Sequence, residues 1–182
     1  MLIKEYKFVL YSAGFMILMS VWLIAFTWEL SAFSLIKSAM IILLSYIAMV
    51  FDINTKRIPN TLVFIMFIGW MLLIVPMMFT DTNSGMTILV DSMFGFLSGG
   101  GLFLLVYLLS RKGLGGGDVK FMAAAGLYLG LAETIPAILY GTVLAAITGL
   151  ILIMLKKIER KGTMPLAPFL FIGIMITIFT RI

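Results

Sequence analysis

The sequence predicts an all-α fold, a polytopic transmembrane helix bundle of about seven membrane segments. Three observations lead there. The 182-residue chain is 63% hydrophobic and only 12% charged, with a mean hydropathy of +1.19, far outside the usage of a soluble domain. Apolar runs of roughly 18–23 residues recur, and each is long enough to cross a hydrocarbon core of about 30 Å. Only short polar loops separate them, which leaves no room for a second soluble domain. In lipid the backbone must satisfy its own hydrogen bonds, so such runs are read as helices.

The first run, Phe8–Trp28, is long enough to span and lacks a small-residue cleavage site, so it reads as a membrane segment and not as a cleavable signal. It is set apart as an additional segment over residues 1–33, with the main domain over 34–182. The second and third runs are Ser34–Phe51 and Thr61–Phe79, with Pro59 disfavouring helix at Ile58 and Asn60 suited to cap the third span. The fourth is Ile88–Ser110, in which Gly99, Gly100 and Gly101 allow close helix contact or bending. The fifth, Val119–Leu131, is short and is expected to tilt or to enter the membrane without matching its full thickness. Glu133 and Pro136 mark its break from the sixth, Thr134–Leu155, and Pro165–Thr180 is the seventh.

Charge sets the orientation. With the N-terminus inside and alternating crossings, Lys4, Lys7, Lys56, Arg57, Arg111, Lys112, Lys120, Lys156, Lys157, Arg160 and Lys161 all fall on the cytoplasmic side. Only Lys37 and Arg181 fall outside, among Glu29, Asp81 and Glu133. That asymmetry follows the positive-inside rule and explains the net charge of +5 without nucleic acid. The chain contains no Cys and no His. Disulfides, thiolate chemistry and Cys-based zinc sites are therefore excluded, a transition-metal site is disfavoured, and no cofactor is implied.

Two acids remain as candidates for chemistry. Asp52 closes the second run and Asp118 opens the fifth, so both are expected at the cytoplasmic face. Two carboxylates held together can share one proton and activate a water. Asp118 follows Gly113, Gly115, Gly116 and Gly117. Taken alone, such a loop reads as a flexible hairpin, with Asp118 capping a helix; the same glycines would also let a peptide lie along the loop. A helix N-terminus favours the ionised form, which makes Asp118 the candidate base. A phosphate loop is a poor match, because the Gly-Lys-Ser/Thr ending is missing. Taken alone, Asp52 reads as an interfacial acid paired with Lys56 or Arg57. Asp91 reads as interfacial or helix-capping, Glu5 and Glu159 as weakly paired among bases, and Glu29, Asp81 and Glu133 as solvated loop residues.

Together the two segments resemble the type IV prepilin peptidases, membrane aspartyl proteases of the Gly-x-Gly-Asp type. The second motif reads Gly115-Gly116-Gly117-Asp118-Val119-Lys120 and the first reads Asp52-Ile53-Asn54-Thr55-Lys56-Arg57-Ile58-Pro59-Asn60. Pro165-Leu166-Ala167-Pro168-Phe169-Leu170 is similar to the family's Pro-Phe-Gly-Pro-Phe-Leu segment, with Ala167 where the family often has Gly. The resemblance runs from about Ser34 onward. It implies a multi-pass protein of a bacterial inner or archaeal plasma membrane, cutting prepilin-like or preflagellin proteins after a short basic leader on the cytoplasmic side. Asp52 and Asp118 would be catalytic. Gly115, Gly116, Gly117, Lys120, Pro165 and Pro168 would contact substrate, although positive-inside topology alone accounts for Lys120. The absence of cysteine pairs resembles the minimal forms of tight-adherence pili or archaeal preflagellins, so N-methyltransferase activity is not expected. The competing readings are a presenilin-like or signal-peptide-peptidase-like protease, a carrier or channel, and a silent pilus or secretion assembly factor. The sequence fixes no oligomeric state.

Overall fold

The computed structural model describes residues 31–110, 114–156 and 164–180. The expected first segment, Phe8–Trp28, lies outside the described residues, as do Gly113 and the bases Lys4, Lys7, Arg111, Lys112, Lys157, Arg160, Lys161 and Arg181. Five helices follow: α1 (Ala32–Thr55), α2 (Asn60–Thr80), α3 (Thr82–Leu109), α4 (Gly116–Met154) and α5 (Ala167–Phe179). The first four are long and apolar enough to cross a membrane, and α5 is a shorter apolar helix.

Local chemistry sets the helix ends. Ser31 caps α1 by accepting from the Ser34 N–H at 3.3 Å. The helix stops where Lys56 turns left-handed at φ 52° and donates its N–H to the Asp52 carbonyl at 2.8 Å. Asn60 does not cap α2: Pro59 occupies the cap and Asn60 is the first helical residue. Asp81 is exposed, and it caps α3 by accepting from the Ser84 N–H at 3.2 Å and the Ser84 hydroxyl at 2.6 Å. This cap starts α3 at Thr82, six residues before the expected Ile88.

The break between the fifth and sixth expected segments lies at Gly130, ahead of Glu133 and Pro136. Gly130 has φ 73° and ψ 179°, a region open essentially to glycine alone. Its neighbours show that the chain turns back there. In the arm before it, Gly126 faces Gly95 and Met122 faces Gly99, so that arm runs antiparallel to α3. After it, Gly130 faces Gly95 while Thr134 faces Gly99, so the second arm runs parallel to α3. The two expected segments are therefore the two arms of α4. Asp91 secures the turn by accepting from the Leu131 N–H at 3.0 Å, which makes it a cap.

Gly95 and Gly126 set the spacing of α3 and α4, because a Cβ on either would run into the other's backbone carbonyl. Gly99 and Gly100 also meet α4 closely, whereas Gly101 faces open space. The second arm packs antiparallel on α5, with Gly141 on Leu170 and Gly173 on Ala137. Polar groups inside are paired: Trp70 Nε1 donates to Ser92 Oγ at 3.3 Å, and the Tyr128 hydroxyl donates to the Met66 carbonyl at 2.6 Å. Among the described residues, no buried side-chain nitrogen or oxygen lacks a partner. Phe64, Leu72, Phe79, Leu97 and Leu109 point outward, the arrangement for an exterior solvated by lipid.

This topology places the 56–59 loop, the start of α4 and the start of α5 at one end of the bundle.

Candidate active site

Asp52 occupies the last turn of α1 and is only 5% exposed. Its Oδ2 accepts from the Ala167 N–H at 2.9 Å, and the Leu166 backbone also contributes a hydrogen bond. The first N–H groups of a helix lack intrahelical acceptors, so the start of α5 offers donors to an anion. Proline at the second helical position, Pro168, suits such a start. The carboxylate is thus held by backbone amides from the far end of the sequence, with the Lys56 charge also acting on it.

Asp118 is the third residue of α4, after Gly115 at the cap. Its carboxylate folds back over Gly115 and accepts from that residue's backbone. A Cβ on Gly115 would sit 2.8 Å from Asp118 Oδ2. Gly117 packs on the 56–59 loop, where a Cβ would lie 3.3 Å from the Ile58 Cβ and 3.4 Å from its N and O atoms. Gly116 meets nothing within 4 Å.

Both carboxylates line one cavity of about 390 Å³, and the Asp52 charge reaches Asp118. The remaining wall is Lys56, Arg57, Ile58, Asn60 and Gly115–Gly117. Of the residues expected to contact substrate, the three glycines line the cavity. Lys120, Pro165 and Pro168 do not: the two prolines are half-buried beside the Asp52-binding amides, and Lys120 Nζ donates to Asn60 Oδ1 at 3.0 Å. Among the described residues, no three His, Cys, Asp or Glu side chains cluster as metal ligands would.

Sequence reasoning missed two parts of the site. Asn60 was assigned to capping, and it faces the cavity instead. The Ala167 amide has no side-chain signature, although a proline at the start of a helix marks a set of free N–H groups. An arrangement of two carboxylates around one cavity, one of them held by amides, suits general acid–base attack of water on a carbonyl.

Known proteins match this chain in sequence. The type IV leader peptidase family matches residues 39–150, more than half of the chain. The chain is 32% identical over 77 residues to a Xanthomonas campestris protein named prepilin leader peptidase/N-methyltransferase, covering 42% of this chain and 27% of that one. A Bacillus subtilis protein of the same name is 27% identical over 141 residues, 76% of this chain and 53% of its own. An Escherichia coli counterpart is 30% identical over 134 residues, 71% and 56% respectively. For the latter two, the match spans about half the length of the relative. No solved structure matches the chain.

Proposed function

The chain belongs to the type IV leader peptidase family, and from that premise we propose that it is a membrane aspartyl endopeptidase whose catalytic pair is Asp52 and Asp118. One observation carries the reading: two acids from distant parts of the sequence line a single cavity at one end of the bundle. One carboxylate, ionised, takes a proton from water as the water attacks the scissile carbonyl carbon. The other, protonated, donates to the carbonyl oxygen. Collapse of the resulting gem-diol breaks the C–N bond and returns a proton to the leaving amine. The two protonation states belong to the coupled pair.

The substrate class follows from the relatives' printed names: a prepilin-like protein with a removable leader. The leader would lie along Gly115–Gly117 while the apolar part of the substrate stays in the bilayer. Lys56, Arg57, Lys120 and Lys156 stand at the site's end of the bundle, and Asp81 and Glu133 stand at the other. That asymmetry supports a cytoplasmic active site. N-methylation, which the relatives' names include, is not expected of these residues, since the cysteine pairs associated with it are missing.

The test is co-expression in membranes with a prepilin or preflagellin from the same organism, read as a mass loss on the substrate. Wild type removes the leader, and Asp52→Asn or Asp118→Asn lowers the rate by roughly 10²–10⁴-fold while still inserting. Leader removal that survives both substitutions would eliminate the dyad. A correctly inserted wild type that cleaves no candidate would favour the carrier or assembly readings.

A further inference from the structure

Asp52 and Asp118 ride on helices that barely touch. α1 packs mainly on α5, and the longest interface of α4 is with α3. The separation of the two carboxylates is therefore set where their loops meet. There are two such meeting points. Gly117 rests on Ile58, and one turn into α4 Lys120 Nζ donates to Asn60 Oδ1 at 3.0 Å, across 60 residues of sequence. Asn60 lines the cavity while Lys120 does not. The ammonium is aimed at the start of α2, at the end of the loop that leads from Asp52.

We propose that Lys120 and Asn60 form a strut that fixes the spacing of the two carboxylates, making them positioning residues for peptide hydrolysis that act through the 56–59 loop. The inference rests on the peptidase reading and deepens it. A charge-assisted hydrogen bond is shorter and stronger than a neutral one, so it holds its two partners close. Both partners are exposed, so its loss shows in the placement of the loops more than in folding. Displacements of about 1 Å at reacting groups lower rates by as much as ~10²-fold.

The experiment is a double-mutant cycle of Lys120→Met and Asn60→Ala on leader cleavage, with inserted protein held equal. Each single change lowers kcat about tenfold with KM unchanged, and the double variant is no worse than the poorer single one. A lysine that grips substrate would instead raise KM, and would do so equally in the Asn60→Ala background. Additive losses, a change confined to KM, or no change overturn the strut.

A second readout needs no activity. The chain is free of cysteine, so an Arg57→Cys, Gly116→Cys pair across the cavity is joined only by added bifunctional thiol reagents of graded length. Lys120→Met widens the range of lengths that bridge the pair, and an unchanged range overturns the strut. If wild type cleaves no leader, the peptidase reading fails, and the crosslinking result still decides the strut on its own.

Discussion

Replacing Gly130 by alanine tests the turn that makes two crossings out of α4. The residue sits at φ 73°, ψ 179°, and forcing an L-residue into that region costs about 1–3 kcal/mol. The new Cβ would also collide with the Asp91 carboxylate, displacing the acceptor that caps Leu131 at 3.0 Å. Loss of such a cap costs about 1 kcal/mol. The expected total is about 3–4 kcal/mol, toward the upper end of the strain range because the collision adds to it. Asp91→Ala alone should cost about 1 kcal/mol. The double variant should be no less stable than Gly130→Ala, since the cap is lost once and the backbone strain persists. The assay is thermal unfolding of the purified protein in detergent. For a chain of this size 1 kcal/mol corresponds to a shift of roughly 2–4 °C, so Gly130→Ala should melt at least 6 °C lower. A variant within about 2 °C of wild type would refute the left-handed turn, and fully additive losses would refute its acidic cap.

Three further outcomes follow from other contacts. Among alanine substitutions in the glycine loop, Gly115→Ala should slow leader cleavage most, because its methyl meets Asp118 Oδ2; Gly117→Ala, against Ile58, is intermediate, and Gly116→Ala is mildest. The rate order in a cleavage time course checks this. Tyr128→Phe should destabilise by about 1 kcal/mol, the net worth of a buried hydrogen bond, with cleavage per folded molecule unchanged. Ser84 holds the Asp81 carboxyl below its ordinary value, chiefly through its hydroxyl and then its N–H. The stabilisation is therefore complete above about pH 4 and is lost as pH falls through the lowered value. Asp81→Asn should remove that acid-side decline in a series of melting curves against pH.

The sequence and the structure part company for physical reasons. Hydropathy located the helices, because lipid demands long apolar runs whatever their partners. The breaker signals of Glu133 and Pro136 placed the α4 break there, yet both residues continue as helix. Gly130 turns the chain because Asp91, on another helix, supplies the acceptor its neighbour needs, and no local pattern encodes a partner 40 residues away. Asp52 and Asp118 stood out because acids beside apolar runs are scarce. The amide that holds Asp52 did not, since every residue but proline offers one. Lys120 was named as a substrate contact by the family resemblance, with positive-inside topology as the plainer account; its bond to Asn60 exists only once α2 and α4 lie side by side.

The Asp52–Ala167 contact also has a consequence in time. It joins residues 115 apart in the chain. At roughly 5–20 residues per second of synthesis, about 6–23 s pass between the appearance of the acid and of the amide that holds it. In the later part of that interval, once Asp118 has been made, the nascent protein carries both aspartates without the clasp on the first. On the proposed dyad, leader cleavage would then wait for the start of α5, which supplies that amide.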